Sequence, residues 1–268
     1  MAVVTKDWVV RLTVGDSAVA TNGARHVGEE AYNPISAQWA VAALCALLYL
    51  RHSMCSTLDT VYEWTCWTAS LPAEAPPVDA IDLGSLTLIG CGAVGNAFLE
   101  VLRAWPRVSG ELRVYDPEET DETNLNRYLL LGREGVGRAK VFLAEQALGH
   151  VDSLSVWGFE REITKRELAD AGRIVLAVDR VDPRIQVQAS WPSLLLEAGT
   201  GRQWFHVAHC HRGLVASHKV ACQGCLHGSG RDLRREEREA SVVFVSAVVG
   251  AVLMRELLLI FKAGQDAA

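Results

Sequence analysis

Excess positive charge is the first thing this chain lacks. Lysine and arginine number 26 against 32 aspartates and glutamates, a formal net charge of −6 with a pI near 5.8. Neither nucleic acid nor an anionic membrane is therefore expected as a principal partner. The arginine-rich stretch 231–238 is balanced by Asp232, Glu236, Glu237 and Glu239 and reads as a solvated surface. A disulfide framework is also missing, since the seven cysteines are odd in number and scattered. With no leading basic-then-apolar segment, they point to reduced thiols and a cytoplasmic location. Uninterrupted long apolar runs are absent too. Segment 35–50 carries Ser36 and Gln38, and 242–254 stops at Arg255-Glu256, so both read as buried helices and no membrane partner is expected. There is no internal repeat and no low-complexity tract.

What is present suits a large core: half of the 268 residues are hydrophobic and 22% are charged. The run Leu71-Pro72-Ala73-Glu74-Ala75-Pro76-Pro77 breaks helix and strand alike. It divides a small N-terminal α/β appendage, 1–78, from a main domain, 79–268. In the appendage, 8–14 alternates like a strand, 15–28 looks like loop, and Asn33 caps an apolar helix opened by Pro34. Beyond the boundary, strands at 86–89, 112–115, 154–157 and 173–178 alternate with helices reaching Trp105, over 137–148 and over 164–169. Further strands are expected at 193–197 and 203–209, an extended piece at 217–221, and a closing helix at 241–262. Such alternation predicts an α/β fold, a Rossmann-like and mostly parallel sheet with helices on both faces.

The most informative stretch is 86–116. A strand runs into Gly90-Cys91-Gly92-Ala93-Val94-Gly95, then a helix, then a second strand ending in Asp116. A helix N-terminus reached through side-chain-free turns suits a phosphate, and a carboxylate at the next strand tip suits ribose hydroxyls. By itself the glycine pattern also fits a purely structural turn or a nicotinamide-dependent oxidoreductase. The residues beyond Asp116 discriminate. Arg127 in Asn124-Leu125-Asn126-Arg127, and Lys140 thirteen residues later, supply two cations suited to a triphosphate. Asp179 ends the strand 173–178, where a carboxylate can hold magnesium, and Arg184 follows one turn into the next helix. Read singly, Arg127 is equally an ion-pair partner of Asp121 or Glu122, Lys140 a solvated helix residue and Asp179 a helix cap.

In combination these motifs resemble the adenylating enzymes of the ThiF, MoeB and ubiquitin-activating type, over roughly 82–264. The resemblance implies that Gly90, Gly92 and Gly95 cradle ATP and that Asp116 binds its ribose. Asn124, Arg127 and Lys140 would hold the phosphates, Asp179 would take Mg, and Arg180 would stand beside the nucleotide where the family commonly has asparagine. It further implies ATP- and Mg-dependent adenylylation of the C-terminal carboxylate of a small ubiquitin-like or sulfur-carrier protein, pyrophosphate release, and a homodimer. Arg127, Lys140 and Asp179 are the residues it assigns to catalysis.

The match thins in three places. Many relatives bind zinc through two Cys-x-x-Cys pairs, whereas this chain has Cys222 and Cys225 alone. Either His227, His218, Cys210 or His211 completes a Zn site, or the two cysteines are small core residues. The loop 227–240 carries no cysteine to accept the activated carrier, leaving Cys45, Cys55, Cys66 and Cys210 as thiol acceptors or buried apolar residues. No arginine-bearing opening helix is matched, although Arg51 stands at the end of the apolar helix, so the appendage serves docking, dimerisation or extra core. Two other readings stay open: the oxidoreductase, and a catalytically silent family member scaffolding an active partner.

Overall fold

A computed structural model describes residues 80–200, 205–211 and 243–266, together with 2–4, 9–14, 18–22, 62–64, Ile35, Gln38, Ala42 and Cys45. Four short N-terminal strands, β1 (Ala2–Val4), β2 (Val9–Val14), β3 (Ala18–Asn22) and β4 (Tyr62–Trp64), form an antiparallel sheet in that order. Strand β3 corrects the expectation of loop over 15–28. It pairs antiparallel with β2, with Val14 opposite Ala18. Its sequence, Ala-Val-Ala-Thr-Asn, offers little alternation, so the strand rests on cross-strand hydrogen bonds that no local pattern announces.

The main sheet holds β5 (Ala80–Ile89), β6 (Arg107–Tyr115), β7 (Leu154–Phe159), β8 (Arg173–Leu176), β9 (Leu194–Thr200) and β10 (Phe205–His211). Its spatial order is β10-β9-β8-β5-β6-β7, and β5 to β9 are parallel while β10 runs antiparallel to β9. The Rossmann-like α/β class expected from the sequence is the class observed. Helices α1 (Ala93–Arg103), α2 (Lys140–Leu148) and α5 (Val243–Asp266) cover one face. The other face carries α3 (Lys165–Asp170) and α4 (Val181–Ala189), packed through Leu168 and Val187 against Ile89, Ile174, Leu176 and Leu195. Consecutive residues of β5 and β8 thus feed opposite cores, as a strand buried on both sides must.

Helix α5 is long and apolar enough to cross a membrane by length and composition over Val243–Phe261. Here it packs on α1, where Gly250 faces Ala97 so closely that an added Cβ would sit 2.4 Å from the Ala97 carbonyl carbon. Arg255 and Glu256, read as the end of the apolar run, pair at 3.2 Å within the continuing helix. The N-terminal segment joins this layer: Ile35 belongs to the same core, and the Gln38 amide donates to the carbonyls of Ala97 (3.0 Å) and Ala247 (2.8 Å).

Strand order fixes where a ligand can enter. From β5 the chain moves outward to β6 and β7, then returns to the opposite side of β5 to build β8 and β9. The crossovers diverge at the carboxyl ends of β5 and β8, leaving the crevice in which open parallel sheets bind ligands.

Candidate nucleotide site at the sheet switch point

Gly90 leaves β5 with φ +93°, and an added Cβ would lie 2.8 Å from the Ala177 carbonyl, so a side chain is excluded twice over. Gly92 caps α1 with extended backbone and no side-chain cap, leaving the first amides of the helix for a ligand. At Gly95 a Cβ would come within 2.3 Å of the Gly90 carbonyl oxygen, which allows the helix to fold back on its own turn. The three glycines therefore form the side-chain-free cradle that a phosphate needs. Asn96, a buried polar residue one turn into an apolar helix, fastens it by donating to the carbonyls of Cys91 (2.8 Å) and Gly92 (3.2 Å) and accepting from the Leu130 amide (3.4 Å).

Asp116 stands at the tip of β6 as expected, but its carboxylate already serves the turn. One oxygen accepts from the Cys91 amide at 2.7 Å and the other from the Glu118 amide at 2.9 Å. Each oxygen keeps a second lone pair for a hydroxyl. Burial raises the Asp116 carboxyl above its ordinary value, while the two amides and the Lys140 ammonium pull it back.

Lys140 is the first residue of α2, so the helix expected over 137–148 begins three residues later, after Gly137 takes φ +80°. Residues 118–120 and 137–140 lie antiparallel, with the Lys140 amide on the Glu118 carbonyl (2.9 Å), Thr120 on Arg138 (2.8 Å) and Gly137 on Thr120 (2.9 Å). That clasp carries Lys140 back beside Asp116. Its ammonium is buried at the positive end of a helix, an unfavourable place for a cation, and it pairs with the Glu118 carboxylate. Burial alone would lower the ammonium's pKa, but Glu118, Tyr128 and Asp116 more than reverse that and hold it above its ordinary value. It stays charged at every physiological pH.

Arg127 is half-buried and donates to the Thr123 carbonyl (2.5 Å) and the Asn126 side chain (3.1 Å). Asn124 is buried and closes a capping box, its side-chain oxygen accepting from the Asp121 amide at 3.1 Å. It builds the turn that presents Arg127. Tyr128, which no sequence motif singles out, has both cations near its ring: Arg127 sits 5.5 Å and Lys140 5.6 Å from the centroid. An aromatic residue directly after the arginine was the available signal.

On the other side of the switch point, Asp179 is exposed three residues beyond the end of β8 at Leu176, and the helix cap is Arg180 rather than Asp179. A magnesium ion carried on a nucleotide takes one or two carboxylates from its protein, so Asp179 fits that need. Beneath it Arg184 is buried, donating to the carbonyls of Val178 (2.5 Å) and Ala198 (2.7 Å) and facing Glu197 at 3.5 Å. Burial lowers the Arg184 guanidinium, opposed by Glu197 and Asp179. Arg180 turns away to pair with Glu162 at 2.8 Å, so the structure does not bring it to the other cations. Cys222, Cys225, His218, His227 and Arg51 lie outside the described residues. Among the described residues no group of three or more His, Cys, Asp or Glu could hold a metal.

A glycine cradle and a buried carboxylate at a switch point, with two cations grouped about Tyr128, define a nucleotide-binding α/β protein. The chain belongs to the ThiF family, whose pattern matches residues 77–265. It is 33% identical over 132 residues to the uncharacterized protein y4jF of Sinorhizobium fredii, a match covering 47% of this chain and 25% of that one. The chain thus spans about a quarter of the length of the curated relative it matches. Among solved structures, MccB of E. coli with MccA-N7isoASN superposes with a TM-score of 0.54 at 14% identity, covering 96% of this chain and 88% of that one. TcdA (CsdL) gives 0.53 at 18% identity, covering 69% and 89%. These two likenesses establish the fold.

Proposed function

We propose that this protein uses ATP and magnesium to adenylylate the C-terminal carboxylate of a small ubiquitin-like or sulfur-carrier protein, releasing pyrophosphate. The observation that carries the reading is the grouping of Arg127 and Lys140 about Tyr128, 5.5 and 5.6 Å from its ring centroid, with the Tyr128 hydroxyl 3.8 Å from the Cβ position of Gly92; hydride transfer would leave two such cations unexplained. The carboxylate is itself the nucleophile and attacks the α-phosphate, so no side-chain base is required. Catalysis becomes alignment on the α1 amides and neutralisation of the charge that builds on the α-phosphate and the departing pyrophosphate. Arg127 and Lys140 supply that positive charge, and Asp116 orients the ribose. Magnesium, when bound through Asp179, adds Lewis-acid stabilisation of the phosphate oxygens. The homodimer and the cytoplasmic setting belong to the same proposal.

ATP–pyrophosphate exchange with the full chain, magnesium and a carrier ending in Gly-Gly tests it. Exchange is expected from the native protein and is abolished in Asp179→Ala, with melting temperature unchanged. Equal exchange in the variant removes Asp179 from the mechanism, and no exchange in either favours the silent scaffold. Stabilisation by NADH but not by Mg-ATP in a thermal-shift comparison would return the oxidoreductase.

A second reading draws on the span of the MccB likeness, 96% of the chain against 69% for TcdA. It gives the carboxylate to an MccA-like substrate instead of a ubiquitin-like carrier, and the same exchange assay run with both substrates separates the two.

A further inference from the structure

Tyr128 has no assigned part in the site, yet it is built into it. It is 6% exposed and packs with Leu131 and Leu143 against Ala93 and Leu130, which explains the ring. Apolar packing does not explain the hydroxyl. The phenol oxygen lies 3.8 Å from the place a Cβ would take on Gly92, at the N-terminus of α1 and over the turn expected to hold phosphate. Both Arg127 and Lys140 lie against the ring, one cation 5.5 Å and the other 5.6 Å from its centroid. Lys140 hydrogen-bonds the phenol, and because an ammonium has three donors and no acceptor, the phenol oxygen accepts there and keeps its single O–H as a donor.

We propose that Tyr128 is a phosphate-binding residue: its hydroxyl donates to the phosphate chain over Gly92 while its ring sets the spacing of Arg127 and Lys140, making the crevice select nucleoside polyphosphates over nucleosides. The inference rests on the ATP reading above. Burial pushes the phenol above its ordinary value, so the donor proton is present throughout the working pH range. A helix N-terminus binds any anion; the tyrosine and its two cations add a fixed geometry along which a chain of phosphates is gripped at several points.

Calorimetry of the full chain with magnesium, using ATP and adenosine as separate probes, tests it. Native protein is expected to bind ATP more tightly than adenosine. Tyr128→Phe keeps the ring and should weaken ATP about tenfold, the effect of one hydrogen bond to a charged group, and leave adenosine unchanged. Tyr128→His restores an N–H donor on a poorer core filler. A donor role ranks His above Phe in the ATP-to-adenosine ratio, whereas a purely structural role ranks Phe above His. That reversed ranking, or a native ratio in Tyr128→Phe, overturns the role of Tyr128 alone. Native protein with no preference for ATP overturns the ATP reading and this inference together.

Discussion

The two walls of the crevice are finished to different degrees. On the β5–β6 side the side chains of Asp116, Asn96, Asn124 and Lys140 are buried and each is already fastened: Asp116 and Asn96 to the glycine turn, Asn124 to Asp121 and Lys140 to Glu118. On the β8 side Asp179 stands in solvent and Arg180 is pulled off to Glu162. In the proposed function this wall is preorganised for phosphate, so its ordering entropy is met during folding rather than at binding. The metal side need only offer an accessible carboxylate, because a nucleotide brings its own ion and keeps part of that ion's hydration. Such a division suits an enzyme whose nucleophile arrives on another molecule: one wall grips, and the other leaves an approach.

The sharpest break of this contrast is at Arg184, the buried foundation beneath the open wall. Arg184→Ala strips the guanidinium from the buried Glu197 and from two strand-end carbonyls. It should cost about 4 kcal/mol in chemical denaturation, whereas Asp179→Ala just above should lie within about 0.5 kcal/mol of native. On the finished wall, Gly95→Ala drives a methyl into the Gly90 carbonyl. About 3 kcal/mol of stability is expected to go, with ATP affinity falling alongside it in calorimetry. If Gly95→Ala binds ATP normally, the turn is not the rigid element described.

Two smaller effects probe the charges. Glu118 holds Lys140 through a largely exposed carboxylate, and such pairs are worth at most about 1 kcal/mol. Glu118→Gln should free the ammonium and tighten ATP about fivefold by that figure; weaker binding would make Glu118 a supporter of the site, not a competitor for it. Asp116, with its carboxyl raised by burial, favours folding most below the ordinary carboxylate pKa of about 4 and loses that contribution as pH rises through its folded value. Native protein should therefore lose stability relative to Asp116→Asn as pH climbs from about 4, read as a narrowing gap in melting temperatures. A gap that widens instead would mean that the Cys91 and Glu118 amides outweigh burial.

Much of this wall was legible in the chain because its chemistry is local. Gly90, Gly92, Gly95 and Asp116 fall in one strand–turn–helix–strand unit, where spacing alone dictates neighbours. Lys140 was named correctly as a cation, but its company was not: the antiparallel clasp of 118–120 on 137–140 is a pairing between loops with no apolar period to reveal it. Tyr128 and Asn96 were overlooked since each looks like an ordinary member of its segment until Gly92 and Leu130 are brought against it. Arg180 shows the reverse. The family resemblance sets it beside the nucleotide, and nothing in its sequence neighbourhood announces the partner it has here, Glu162 from the crossover before α3, eighteen residues away.

By itself the sequence determined the alternation of strands and helices, the glycine cradle, the acid at the next strand tip and the sign of the charge facing the ligand. These follow from hydrophobic period and from steric rules acting within a few residues. Only the tertiary structure decided which charges meet, that Asp116 serves the turn as well as any ribose, and that Lys140 rests on Glu118. Ion pairs and hydrogen bonds across a crevice depend on how crossovers return over the sheet, and that is settled by the packing of whole elements, not by their spacing along the chain.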